Sequence, residues 1–180
     1  MKIRLAADLQ SDSIVDGLGI RTVIWTQGCS HNCPSCHNPE THDFNGGDLV
    51  DIEDVIERIE DLEGQTGVTF SGGDPMFQPK ACAILAKKIH ELGMNVWAYT
   101  GFTYEELLEN GSKDILDFLS EIDVLIDGKF DPNKKSLDLE FRGSSNQRII
   151  DVKKSLENHK IILFELKNKK NESKKEKLYI

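Results

Sequence analysis

No stretch of the 180-residue sequence approaches the roughly 18 consecutive apolar residues that a membrane span needs. Nor is there a signal-peptide apolar region at the N-terminus, where Met1–Asp8 soon meets the acids Asp8 and Asp12. Positive charge is in deficit: 22 Lys and Arg face 31 Asp and Glu, a formal net charge of −9. That balance argues against broad, non-specific nucleic-acid binding, which needs a positive field. Cysteine is scarce, with four in all and three of them inside eight residues, so a disulfide framework is not expected. There is no internal repeat. These absences imply a soluble, intracellular and cytoplasmic protein of one domain.

What is present supports a packed core. Hydrophobic residues make up 38% of the chain, too much for intrinsic disorder. The expected domain covers residues 1–164. Residues 165–180 hold six Lys and three Glu and form a basic tail, read either as a solvated end or as a docking strip for an acidic partner.

Turn residues and apolar runs alternate in a β-then-α rhythm. The sequence predicts strands at 21–26, 67–70, 95–99 and 123–126, with two further β-rich pieces at 148–150 and 160–164. Helical spacing predicts helices over 52–62, with Asp51 as N-cap, and over 79–92, with Pro79 in the first turn and Gly93 as stop. Thr103 and Glu106 predict a capping box, and a further helical turn or two falls at 115–119. Such alternation implies βαβ units, a parallel sheet, and ligands beyond the carboxyl ends of its strands. The segments 28–36, 71–74, 100–101 and 127–129 all fall at those ends. Too few βα units are visible for an eight-stranded closed barrel, so the expected fold is α/β with an open, partial parallel barrel. Trp25 and Trp97 are expected in the core, and Arg21 is expected to be structural.

The chemistry concentrates in Gly28-Cys-Ser-His-Asn-Cys-Pro-Ser-Cys-His-Asn38, spaced C-x3-C-x2-C. Cys29, Cys33 and Cys36 on one loop suit an iron–sulfur cluster with one iron left open. The alternative is a zinc site completed by His31 or His37, although structural zinc sites usually draw ligands from two separated parts of a chain. Cys82 lies on the buried stripe of a helix and reads as core. Gly17-Leu-Gly19 is no dinucleotide fingerprint, because Thr22 holds the third glycine position.

This motif after a first strand resembles the radical S-adenosylmethionine (SAM) enzymes. Asp16-Gly-Leu-Gly-Ile-Arg-Thr22 and His37-Asn-Pro-Glu40 resemble the activases of glycyl radical enzymes among them. Ser71-Gly-Gly-Asp-Pro75, Tyr99-Thr-Gly-Phe102, Val124-Leu-Ile-Asp-Gly-Lys-Phe130 and Arg142-Gly-Ser-Ser-Asn-Gln-Arg148 are similar to the branch that activates the anaerobic ribonucleoside-triphosphate reductase.

The resemblance implies a barrel of the radical SAM type, shortened. Cys29, Cys33 and Cys36 would hold a 4Fe-4S cluster whose open iron binds SAM. Reductive cleavage of SAM would give a 5′-deoxyadenosyl radical that takes hydrogen from a glycine of the reductase's large subunit, with a flavodoxin or ferredoxin supplying the electron. No catalytic side chain is implied beyond the cluster and SAM. Gly72, Gly73 and Asp74 match the segment that holds the SAM amino group, with an ordinary turn as the competing reading. Ser35 and His37 flank the last cysteine near adenine; Ser35 stands where many relatives carry an aromatic, and His37 either contacts SAM or is held by backbone. Asp127 and Lys129 would lie near SAM, although Asp127 could simply end its strand. The 142–148 run carries no assigned roles. Activation of pyruvate formate-lyase or another glycyl radical enzyme, or a non-catalytic zinc module, are the alternative functions.

Overall fold

The computed structural model describes residues 1–166, so all of the basic tail except Glu165 and Leu166 lies outside the described residues. Eight strands form one sheet: β1 (Lys2–Leu5), β2 (Gln10–Ser13), β3 (Arg21–Thr26), β4 (Asp48–Asp51), β5 (Gly67–Gly72), β6 (Asn95–Tyr99), β7 (Val124–Asp127) and β8 (Arg148–Asp151). Five helices accompany them: α1 (Ile52–Glu60), α2 (Pro79–Glu91), α3 (Tyr104–Asn110), α4 (Lys113–Ser120) and α5 (Val152–Asn158). The strand order is β4-β1-β3-β5-β6-β7-β8, with β2 also on β3.

The four central strands β3, β5, β6 and β7 run parallel. The expected parallel sheet therefore holds at the centre and fails at the margins. There β1, β2 and β4 pair antiparallel on one side and β8 pairs antiparallel with β7 on the other. The 160–164 piece is not a strand: it contributes one bridge, Ile150 to Leu163. No helix among the described residues is long and apolar enough to cross a membrane.

Alternation along the central strands divides the molecule. Val68 and Phe70 of β5, Val96 and Ala98 of β6, and Leu125 of β7 pack with Val55 and Ile59 of α1, Leu85 and Ile89 of α2, and Phe118 of α4 in the main core. Trp97, Val124, Ile126 and Ile149 point to the other face and form a second cluster with Tyr99, Phe141 and Phe164. That period-2 split sends every second residue of β6 and β7 away from the helices.

Local signals act largely as their chemistry requires. The capping box of Thr103 and Glu106 opens α3, and Gly93 at φ +79° closes the turn after α2. Asp51 precedes α1 without a side-chain cap bond and instead pairs with Lys2 at 3.2 Å. Arg21 is completely buried under the β2–β3 loop. It donates to Thr69 Oγ1, Asn95 Oδ1 and the carbonyls of Leu18, Val68 and Asn95, and lies 5.1 Å from the Trp97 ring. Burial lowers its pKa to about 10, which leaves it charged at neutral pH.

Candidate functional site

At the carboxyl ends of the parallel strands lies a cavity of about 730 Å³. Its walls include Cys29, Cys33, Cys36, Gly72, Gly73, Asp74, Thr100, Gly101, Gly128 and Lys129, so the segments expected beyond the strand ends do meet in one place.

The cysteine loop leaves β3 through Gly28, whose φ of +101° only glycine adopts without strain. Two backbone bonds tether it, Gly28 N to Thr41 O (2.8 Å) and Cys29 N to His42 O (3.4 Å). All three thiols line the cavity and are partly exposed, whereas Cys82 is fully buried in α2. Burial pushes the Cys29 thiol up to about 11, partly offset by the neighbouring His31 amide. Metal ligation would have to displace that proton. Asn38 N already donates to Cys36 Sγ at 3.4 Å. Three thiols facing one cavity from one loop fit an iron–sulfur cluster, which takes one thiolate on each of three irons. Among the described residues, no three His, Cys, Asp or Glu side chains converge on a position for a single metal ion.

The glycine turn is shaped by close approach. A Cβ on Gly73 would fall 2.6 Å from Gly28 O, and one on Gly72, at φ +94°, would fall 2.7 Å from Thr26 O. Without side chains, β5 presses its end onto the cysteine loop, joined by Gly73 N to Thr26 O, Asp74 N to Gly28 O and Asn38 Nδ2 to Gly72 O. Asp74 is buried, and its oxygens meet four protein groups: Met76 N (2.9 Å), Thr100 Oγ1 (2.9 Å), Gly101 N (2.9 Å) and His31 Nε2 (2.6 Å). The turn reading is thus present in the bond to Met76 N, which caps a short 3₁₀ turn at Pro75–Phe77.

At the end of β7 the candidates separate. Gly128 and Lys129 line the cavity; Asp127 does not. Its carboxylate is 1% exposed, accepts from Tyr104 N at 2.8 Å and is gripped by Arg148, which also pairs with Glu105. Gln147 Oε1 accepts from Gly143 N and Ser144 N, while its Nε2 donates to Gly128 O at 3.0 Å. Ser144 Oγ accepts from Asp131 N, and Asn146 Nδ2 donates to Lys129 O. The 142–148 run fastens the loop after β7 against the cavity wall.

Ser35 is exposed at φ +58° and is not part of the wall. His37 is, its ring 4.5 Å from that of Phe130, and a Cβ on Gly143 would crowd both rings. Trp97 is core as expected, but Trp25 is half-buried and lines the cavity. Two buried polar atoms of wall residues, His42 Nε2 and Arg142 Nε, have no protein hydrogen-bond partner. Neither residue was assigned a role from sequence, and no spacing rule marks them. Tyr99 also lines the cavity, and the alternation that points it, with Trp97, away from the helices is a signal that could find it.

A family model described as a 4Fe-4S single cluster domain matches residues 15–150. Three relatives are named anaerobic ribonucleoside-triphosphate reductase-activating protein. That of Salmonella typhi is 38% identical over 74% of this chain and 90% of its own. The Escherichia coli protein is 35% identical over 74% and 90%, and that of Enterobacteria phage T4 is 31% identical over 75% and 86%. The solved structure of QueE from Escherichia coli is a distant likeness, with 15% identity and a TM-score of 0.47 over 57% of this chain and 54% of that one. The chain belongs to the family of anaerobic ribonucleoside-triphosphate reductase-activating proteins, built on a 4Fe-4S single cluster domain.

Proposed function

We propose that the chain is a radical SAM enzyme that installs a glycyl radical on the anaerobic ribonucleoside-triphosphate reductase. The carrying observation is that Cys29, Cys33 and Cys36 share one cavity with the Gly72–Gly73 turn at the ends of the parallel strands. Bound there, the cluster and SAM would supply the chemistry, a one-electron reductive cleavage of the sulfonium whose product would take hydrogen from a glycine of the reductase's large subunit. The three cysteines hold the cluster. Gly72 and Gly73 let the end of β5 close onto the cysteine loop while lining the cavity, with Asp74 holding the turn in shape. His37 and Lys129, on the cavity wall, would face SAM, with Arg142 and His42 as further wall residues. Asp127 supports the wall from behind through Arg148.

The sheet, whose end strands β4 and β8 are not paired with each other, is read as an open barrel around this cavity. A cytoplasmic location and a flavodoxin or ferredoxin donor accompany the proposal, and the domain is taken as residues 1–164 with a basic tail behind it. The test is anaerobic reconstitution followed by electron paramagnetic resonance. The expected result is about four irons per chain, a reduced signal altered by SAM, and a glycyl radical on the reductase. A radical on pyruvate formate-lyase instead would redirect the activity to that partner. One zinc per chain with a silent spectrum would overturn the enzyme reading.

A further inference from the structure

His31 lies between two of the three cysteines, yet its side chain is 8% exposed and is held by groups from outside the cysteine loop. Its Nε2 is hydrogen-bonded to Asp74 Oδ2 at 2.6 Å, with the ring N–H donating to the carboxylate. The ring stands edge-on to Phe102, with centroids 4.5 Å apart, and packs against Phe77 at 5.7 Å. Gly101 completes the seat: a Cβ there would fall 2.5 Å from the imidazole. Asp74 in turn is fixed to the turn before α2 and to the end of β6. The imidazole is therefore the pin by which the middle of the cysteine loop is fastened to the ends of β5 and β6.

We infer that His31 is a positioning residue for the cluster: its bond to Asp74 holds the loop between Cys29 and Cys33 in the geometry that binds iron. The inference rests on the reading that these cysteines ligate the 4Fe-4S cluster. A bond outside the ligand shell of this kind ordinarily changes metal retention by about ten- to a hundredfold. It also gives Asp74 a role inside the protein, as the acceptor that orders the loop.

Two substitutions separate the bond from the ring. His31→Phe keeps an aromatic group in the seat and deletes the donor, whereas His31→Gln returns an N–H near the Nε2 position. The measurement is the rate at which reconstituted, oxygen-free protein loses its visible iron–sulfur absorption to an iron(II) chelator. Circular dichroism melting of the cluster-free chain is followed alongside. His31→Phe should lose the cluster about tenfold faster than wild type, His31→Gln should return to within about threefold of wild type, and the cluster-free melts should coincide. Equal rates in wild type and His31→Phe would overturn the inference. So would equally fast loss in both variants, or a cluster-free His31→Phe chain that melts far below the others. Wild type that takes up no cluster would instead overturn the underlying reading of the cysteines.

Discussion

Two buried acids end neighbouring parts of the same sheet and do different work. Asp74 follows β5 and Asp127 closes β7, each beside a glycine and each 1% exposed. Asp74 sits on the cavity wall and gathers donors from the cysteine region, the following turn and the end of β6. Asp127 sits behind the wall, because the antiparallel register of β8 puts Arg148 opposite it. What flanks each strand decides the role. β5 lies between β3 and β6, whose ends carry the cysteines and Thr100-Gly101, so its acid orders a site. β7 has an antiparallel neighbour that delivers a cation, so its acid anchors a support.

The largest break in that comparison is at the cysteines. Replacing Cys29, Cys33 or Cys36 singly by Ala should remove the cluster and all SAM cleavage, read as iron content and methionine formed. Cys82→Ala should retain both and cost about 1–2 kcal/mol of packing by denaturant titration. Equal loss in all four would mean that the buried cysteine of α2 belongs to the site.

The glycines beside the two acids sharpen it further. In Gly73→Ala the new Cβ meets the backbone oxygen of Gly28 at 2.6 Å, which cannot swing aside. The expected cost is about 3 kcal/mol, with a spread end of β5 and weakened SAM binding by equilibrium dialysis. A Cβ added at Gly128 would have nothing within 4 Å, so Gly128→Ala meets only the strain of its φ of +93°, about 1–2 kcal/mol. SAM affinity in that variant should stay near wild type.

This contrast also shows what sequence makes legible. The strands at 21–26, 67–70 (extended to Gly72 in the structure) and 95–99 and the helices α1 and α2 are readable because burial imposes a period on them. The meeting of the cysteine loop with the Gly72–Asp74 turn followed from the rule that loops at the carboxyl ends of parallel strands converge. β1 and β4 escaped because four-residue antiparallel strands with only Ile3 and Leu5 buried carry little pattern. α5 escaped because it buries only Val152 and Ser155. Asp127 looked like a cavity residue because nothing local records that β8 turns back antiparallel and brings Arg148 against it. In the sequence His31 reads only as a zinc ligand, since its partner Asp74 is 43 residues away.

If Asp127 is a support, removing it should weaken the fold and leave the cluster. Asp127→Ala orphans Tyr104 N and strips Arg148 of one carboxylate, while Glu105 keeps the other side of the guanidinium. The cost should be about 2 kcal/mol, below the ~3–5 kcal/mol of a fully buried pair losing one partner. Iron content after reconstitution should match wild type. A loss of iron as complete as in the cysteine variants would move Asp127 from the support to the site.

The smallest effect is the acid sensitivity of the outer half of that support. Arg148 donates to Glu105 and holds its carboxyl below the ordinary value of 4.5. A carboxyl lowered in the folded state stabilises the fold above its unfolded pKa, and that contribution is lost as pH falls through the folded value. Glu105 is half exposed, so solvent screening limits the gain to below about 1 kcal/mol. Urea titrations at about pH 6 and about pH 3 should therefore show wild type losing slightly more stability than Glu105→Gln, which has no such proton to bind. The pH dependence of SAM cleavage should be the same in both proteins, because Glu105 reaches the cavity only through Arg148 and Asp127. A changed activity profile with an unchanged stability difference would place the end of β7 in direct contact with the chemistry and erase the distinction between the two acids.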